Sequence, residues 1–399
     1  MHLVAWIVVA APVTCCVYAY ALYPLLLYTA SRLVKQPTSW PTMVAWPSVS
    51  ITVPCYNEEA SITATLEALL QVDYPADRVQ IVVVSDASSD RTDDIVRGFA
   101  PRGVELLRMP ERRGKSAAEN AVALVCRGEI LVNTDASIRI PRGSLKKLVA
   151  AFQDPTVGVA SGRDASVSSA QDNATGGESG YVGYEMFIRS LETRVGSIVG
   201  ASGCFYGIRK ALHDTTFPED LSRDFACALI ARERGYRSVS VGEAIALVPR
   251  ATSLDSEYRR KIRTMSRGLN TLWFKRALLN PFRYGRFAFM LTSHKLFRWL
   301  YYLLIPFALL ALGILSVRSA LALSMLVLGG AGVVCGAIGL VLGRAARGPA
   351  RVFSWAAFVL ASHAAGTVAW WRVITGSRSA MWEPTRRRGA PDTQVPTAT

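Results

Sequence analysis

Gln80-Ile81-Val82-Val83-Val84-Ser85-Asp86-Ala87-Ser88-Ser89-Asp90 is the stretch that decides the fold. Its first five residues are rich in β-branched side chains and run straight into a cluster of turn formers. That pattern reads as a strand, a turn, and a helix opening near Asp90 and running to Phe99. The same grammar repeats on both sides. Upstream, Ser50–Pro54 reads as a strand and Glu58–Leu70 as a helix. Downstream come a strand at Val104–Arg108, a helix at Lys115–Cys126 and a fourth strand at Glu129–Asn133, ending at Thr134-Asp135. Strands alternating with helices imply an α/β domain with a parallel sheet covered on both faces. Ligands of such sheets bind beyond the carboxyl ends of the strands. Farther on, residues 164–179 are small and polar and are expected to form a mobile loop. Tyr181–Val195 reads as an amphipathic helix, and Ser222–Arg234 as another, closed by Gly235.

Flanking segments are of another kind. The 399 residues are 51% hydrophobic and only 19% charged, which directs attention to membrane spans. Val4–Tyr28 carries no charge and exceeds the ~20 apolar residues a helix needs to cross a bilayer. A cleaved signal peptide would have a basic start and a shorter apolar core, so an uncleaved anchor is expected. Arg32 and Lys35 follow it and place the next segment on the cytoplasmic side. Pro37–Ser48, with three prolines, reads as a linker.

The formal charge of +15 is concentrated late in the chain. Between Arg259 and Arg298 stand eleven Lys and Arg residues and no acid, interleaved with aromatics such as Trp273, Phe274, Phe282 and Phe289. The stretch leads into apolar segments, so helices lying on an anionic membrane surface are expected rather than a nucleic-acid patch. Three apolar segments follow, at about 300–317, 320–343 and 352–371. Their connectors and the tail are all basic, which conflicts with three simple crossings. Pro306 makes the first segment a candidate for a re-entrant or interfacial piece, and the side of the tail is left unassigned. The chain thus divides into an anchor (1–36), an α/β domain (37–258), interfacial helices (259–299), spans (300–372) and a polar basic tail (373–399).

Chemistry is expected at the strand ends. Asp86 follows one strand and Asp135 another, which places both carboxylates on one rim. A rim carboxylate can accept from a sugar or base, or hold a divalent cation; by itself it is also an ordinary turn or cap residue. Arg112-Arg113-Gly114-Lys115 opens a helix at the same rim, where a helix N-terminus and cations favour phosphate. Seven scattered cysteines without a C-x-x-C pair, and four histidines, argue against a zinc site.

Taken in order, Pro54-Cys55-Tyr56-Asn57-Glu58-Glu59, Val84 to Asp90, Arg113-Gly114-Lys115 through Asn120, and Thr134-Asp135 resemble the inverting family 2 glycosyltransferases. The likeness is to membrane-embedded members such as hyaluronan, cellulose, chitin-oligosaccharide and poly-N-acetylglucosamine synthases, and extends from about Val49 to Trp299. It implies a GT-A (Rossmann-like) fold, a nucleotide-sugar donor, with a UDP-sugar favoured, and Mg2+ or Mn2+. By resemblance, Asp86 contacts the nucleoside base, Tyr56 and Glu58 lie around the nucleotide, Lys115 is near it, and Asp135 is the first aspartate of the metal-binding Asp-x-Asp motif. Asp224 is the candidate catalytic base, eleven residues before Gly235 in Arg234-Gly235-Tyr236. Gly200–Arg209, with Gly203, Cys204 and Phe205, resembles the acceptor-side segment. Arg260 and Arg263 fall where a Gln-x-x-Arg-Trp motif clamps the diphosphate.

Three motifs depart from the pattern. Ser137 replaces the second metal aspartate, Arg223 replaces the acid before the base, and Arg260 and Thr264 replace the Gln and Trp of the last motif. Ser137 weakens the expected metal site, and Thr264 offers no ring for a growing acceptor, which opens single addition beside processive synthesis. The sequence therefore predicts a membrane-bound enzyme that transfers sugar to a saccharide or lipid-linked acceptor at the cytoplasmic face of the cell membrane, in surface or extracellular polysaccharide synthesis. The alternative is a non-catalytic membrane scaffold. No nucleic-acid partner is expected.

Overall fold

The computed structural model describes residues 2–34, 40, 43, 45–167, 176–249, 254–342 and 351–377. The chain divides into two compact units. One is helical and gathers Met1–Gln36, Asp172–Val199 and Glu257–Ser379; the other carries the sheet and gathers Pro37–Gln171, Gly200–Ser256 and Ala380–Thr399. Half of the expected linker, most of the basic tail and the centre of the expected loop at 164–179 lie outside the described residues.

The chain begins with α1 (His2–Val17) and α2 (Tyr23–Leu33), joined by a π-helical turn at Tyr18–Leu22. Then follow β1 (Val49–Cys55), α3 (Ile62–Leu70), β2 (Val79–Ser85), α4 (Thr92–Gly98), β3 (Val104–Arg108), α5 (Lys115–Val125), β4 (Ile130–Thr134), α6 (Ser144–Ala150) and β5 (Val157–Val167). After α7 (Gly176–Val195), which belongs to the helical unit, the sheet is completed by β6 (Phe205–Arg209), α8 (Arg223–Glu233) and β7 (Arg237–Pro249). The remaining helices are α9 (Leu254–Phe274), α10 (Pro281–Tyr284), α11 (Arg286–Leu291), α12 (Phe297–Ser316), α13 (Ala320–Leu342) and α14 (Arg351–Ile374).

The seven strands are ordered β3-β2-β1-β4-β6-β5-β7. The first four are parallel, as the alternation predicted. β6 runs antiparallel to both β4 and β5, so the sheet is mixed rather than wholly parallel. β1 is buried along its whole length although its sequence alternates: Val49, Ile51, Val53 and Cys55 join the larger core, while the buried hydroxyls of Ser50 and Thr52 donate to Gln80 and Asn133, each at 2.6 Å. Pro54 is tolerated there because the pairing of β1 with β4 ends at Thr52–Asn133, before the proline's missing N–H is needed. One core packs Ile51, Val53, Ile81, Val83 and Val132 against Leu66, Leu69, Leu145 and Leu148, and includes Phe205; a second packs Val82, Val84 and Leu131 against α5. This register brings Cys55, Ser85 and Thr134, the last residues of three neighbouring strands, to one rim.

Residues 164–167 extend β5 and residues 176–179 begin α7, so the expected loop is narrower than its composition indicated. α12 continues through Pro306 as helix. Among the described residues, four helical stretches are long and apolar enough to cross a membrane: His2–Leu33, Arg286–Ser316, Ala320–Leu342 and Val352–Ile374. The second reaches back into the basic aromatic segment, so residues 286–299 are continuous with a span.

The helical unit contains a buried polar network. Tyr23 donates to Oε1 of Glu192 at 2.8 Å. His294 faces that oxygen through Nδ1 at 2.6 Å and Glu185 through Nε2 at 3.1 Å. Arg298 pairs with Glu185. Glu192, His294 and Tyr23 are essentially without solvent exposure. Charges taken out of solvent this far persist only when paired, and here the partners come from α2, α7, the π-helical turn Thr292–Leu296 and α12.

Candidate active site

The loops after β1 and β2 are fastened to each other at the rim. Asn57 accepts from the backbone N–H of Ser89 at 2.8 Å and donates through Nδ2 to its hydroxyl at 3.1 Å. The Glu58 N–H donates to Thr92 at 2.8 Å, and the Glu59 N–H donates to Asp90 at 3.1 Å. Asn57 and Ala87 both hold positive φ, 53° and 56°. For alanine that conformation costs about 1 kcal/mol, and such strain collects at functional loops. Tyr56 lies under the Arg112 guanidinium, 3.8 Å from ring centroid to charge, and Glu58 accepts from Ser61.

Asp86 is buried at 1% exposure. Its two carboxylate oxygens accept from the backbone N–H groups of Arg113 and Gly114, each at 2.8 Å. A carboxylate thus holds the turn that opens α5, with Gly114 at φ 96°, a conformation glycine adopts without strain. The next residue is Lys115. Its ammonium donates to Oδ1 of Asp135 at 2.5 Å and to the carbonyl of Gly203 at 3.2 Å. Glu119, one turn along α5, stands 3.9 Å away. Burial works to lower the Lys115 pKa, but Asp135, Glu119 and Asp224 together outweigh it, and the net shift is upward. Lys115 is a fixed cation at this rim.

Asp224 sits in the first turn of α8, its Oδ1 accepting from the Ser222 hydroxyl at 2.6 Å. A β-carbon built on Gly203 would lie 2.8 Å from Asp224 Oδ2, so only a residue without a side chain fits there without displacing the carboxylate. The segment before α8 is latched to α5. Ser116 donates to the Leu221 carbonyl at 3.0 Å, Asn120 to the Phe217 carbonyl at 2.8 Å, and Arg113 pairs with Glu219 at 2.5 Å.

Asp86, Lys115, Asp135, Gly203 and Asp224 are therefore brought together, although they span well over a hundred residues of sequence. Cys204 is half-buried beside them, its N–H donating to Ser202 at 3.2 Å. Phe205 is different: fully buried at the start of β6, its ring belongs to the core and is not presented to a ligand. Arg260 and Arg263 lie on α9 in the helical unit, where Arg260 pairs with Glu257 at 2.7 Å. Among the described residues no three His, Cys, Asp or Glu side chains gather as a metal cage.

Residues 50–217 match the family model described as Glycosyl transferase family 2. An N-acetylglucosaminyltransferase of Bradyrhizobium elkanii is 30% identical over 160 residues, which are 37% of this chain and 87% of that protein. The chain belongs to glycosyl transferase family 2. An N-acetylglucosaminyltransferase of Rhizobium sp. (strain N33) is 26% identical over 240 residues, 55% of this chain. The matched part spans about half, 52%, of that relative's length. The solved structure of the mannosyltransferase PcManGT from Pyrobaculum calidifontis, in complex with GDP-Man and Mn2+, superposes with a TM-score of 0.67 at 25% identity and covers 92% of this chain and 99% of its own. The family 2 fold accounts for the GT-A-like sheet, and the spanning-length helices on both sides of it fit a membrane-associated member.

One group at this family 2 site was not singled out by sequence. Glu119 carries no motif of its own, and only the fold shows it buried between Lys115 and Arg223. A glutamate on the inward face of a short helix, four residues after a rim lysine, was the available signal.

Proposed function

We propose that this chain is an inverting glycosyltransferase that moves a sugar from a nucleotide diphosphate to a hydroxyl acceptor, with Asp224 as the base. The observation that carries the reading is the placement of Lys115 between Asp135 and the Gly203 carbonyl, with Gly203 directly against Asp224. Cation and carboxylate stand side by side at the carboxyl ends of the strands, where a diphosphate and an acceptor hydroxyl have to meet.

In the reaction, Asp224 accepts the proton of the acceptor hydroxyl as its oxygen attacks the anomeric carbon. The bond from that carbon to the diphosphate oxygen breaks on the opposite face, and its electron pair leaves with the nucleoside diphosphate. Configuration inverts in this single displacement. Asp86 acts through the backbone: by fixing Arg113 and Gly114 it sets the N-terminus of α5, whose dipole and Lys115 stabilise departing negative charge. Arg263, and Arg260 beside it, are proposed to add charge stabilisation on the diphosphate. Tyr56, with Arg112 stacked on it, and Glu58 border the nucleoside.

A divalent cation fits this donor set in part. Asp135 has one oxygen on Lys115 and a second to offer. Ser137 adds no charge, so donor phosphate oxygens would complete the coordination, and Mg2+ or Mn2+ would supply further neutralisation of the diphosphate.

The relatives point to N-acetylglucosamine or a hexose as the sugar, with UDP as the first nucleotide to try. The spanning-length helices support a membrane enzyme with the site on the cytoplasmic face and a saccharide or lipid-linked acceptor. Thr264, exposed and without a ring, supports single addition. The five segments read from sequence (1–36, 37–258, 259–299, 300–372 and 373–399) are kept as a functional division, with α7 assigned to the helical unit.

The test is purified full-length protein in detergent with Mn2+ and labelled UDP- and GDP-sugars, followed by mass spectrometry of the product. Transfer is expected from at least one donor and is abolished in Asp224→Asn while donor binding persists. Absence of both binding and turnover across the panel would support the non-catalytic scaffold instead. Arg263→Ala should weaken nucleoside diphosphate binding more than nucleoside binding, and equal loss of both contradicts that role.

A further inference from the structure

Arg223 stands immediately before the proposed base, at a position where family resemblance leads one to expect an acid. It is only 5% exposed. Its guanidinium lies over the Phe217 ring at 4.8 Å, and Nη1 meets Nδ1 of His213 at 3.3 Å. Its counter-charge is Glu119 on α5, with 3.8 Å between Nε and Oε2. Glu119 is 2% exposed, and its other oxygen faces the Lys115 ammonium at 3.9 Å. Both separations are ionic contacts rather than hydrogen bonds. They act through the field inside a dry interior, where a charge without its partner is expensive.

Glu119 is thus one anion between two cations, each of which leads to a different part of the chemistry. Lys115 reaches Asp135 and the rim. Arg223 adjoins Asp224 in the first turn of α8. Ser116 and Asn120, on the same helix as Glu119, fix the backbone of the segment entering α8. Burial lifts the Glu119 pKa, against the pull of Lys115 and Arg223, in keeping with a group held in place at a cost in desolvation.

We propose that Glu119 and Arg223 form a positioning pair for the reaction, in which Glu119 supplies from α5 the carboxylate absent from position 223 and keeps both cations off Asp224. The inference rests on Asp224 being the base. Without the Glu119 charge, Lys115 keeps Asp135 and Asp224 as nearby anions, and Arg223 adjoins Asp224 in the chain. Asp224 would then be drawn toward cations instead of an acceptor hydroxyl. The chemical step should suffer while the nucleotide site remains.

The experiment compares wild type, Glu119→Gln, Arg223→Glu and the double variant Glu119→Gln/Arg223→Glu as full-length proteins, with Asp224→Asn alongside. Glu119→Gln is expected to lower kcat by about 10²-fold, the scale of a misplaced catalytic group, with donor KM and nucleoside diphosphate affinity little changed. Arg223→Glu alone buries two carboxylates together and should be at least as impaired. The double variant, which restores an acid before the base and removes the other, should recover most of the lost kcat. A purely structural role would lower folded yield without this split and without recovery. If Glu119→Gln does not fold, the double variant decides alone: recovered turnover supports the pair, and failure to recover overturns it. Wild-type kcat in Glu119→Gln with an inactive Asp224→Asn overturns the pair while leaving the base intact. An active Asp224→Asn overturns the base and the pair together.

Discussion

Asp224 occupies the space that a side chain on Gly203 would need: a β-carbon there would stand 2.8 Å from Asp224 Oδ2. That separation is too short for a real side chain, and the carboxylate is the part that would move. Gly203→Ala should therefore reduce kcat by about 10²-fold through displacement of the base, with donor affinity nearly unchanged. Steady-state kinetics beside calorimetric nucleotide binding check this. Equal loss of both, or of neither, would count against the base sitting where we place it.

Asp86 is predicted to act on donor binding through the chain rather than by touching the nucleotide alone. Asp86→Asn replaces one acceptor with a donor opposite the N–H groups of Arg113 and Gly114. Losing a buried, charge-assisted bond of this kind costs about 1–3 kcal/mol. A lower melting temperature without nucleotide is expected, together with weaker donor binding. An unchanged melting temperature would show that the turn holds by itself.

Ser137 stands where a second acidic ligand would add negative charge near Asp135. Since divalent affinity rises with ligand charge, Ser137→Asp should lower the Mn2+ concentration for half-maximal activity by about tenfold. A metal titration of initial rates reads this directly, and a flat response would mean the side chain faces away from the cation.

His213 gives the sheet unit an acid-sensitive point. Burial and the neighbouring Arg223, against Asp214, push its pKa from 6.5 down to about 3. The folded chain keeps this imidazole neutral, while the unfolded chain protonates it near its ordinary value. Its stabilising contribution is complete above pH 6.5 and is lost as pH falls toward 3, by up to about 1.4 kcal/mol per pH unit. Thermal melting between pH 7 and 4 should show this slope, and His213→Gln should flatten it.

Much of this was legible in the sequence because local and global signals agree in the first half of the chain. Val104–Arg108 and Lys115 onward fall where pattern and turn chemistry put them, and Asp86 and Asp135 do share a rim. β5 and β6 were missed for a physical reason, and β7 was missed although Ser238–Val241 alternates. Gly158, Gly162 and Gly207 interrupt the apolar runs because neighbouring side chains such as Phe205, Phe152 and Tyr236 occupy the space a side chain there would need. Strands built on such close approach lose the period that marks a strand. Phe205 was read beside its glycine-rich neighbours as acceptor-facing, whereas strand alternation turns it into the core. Glu119 was invisible because its meaning comes from two residues it meets only after folding.

α7 has a practical consequence for anyone who wants to excise the sheet unit. The polypeptide leaves that unit in midcourse, contributes Glu185 and Glu192 to the helical one, and returns to complete β6. Stopping before residue 257 would retain both glutamates but discard His294 and Arg298, which pair with them in the buried network. A soluble version would have to be spliced, with 172–199 replaced by a short bridge, rather than truncated.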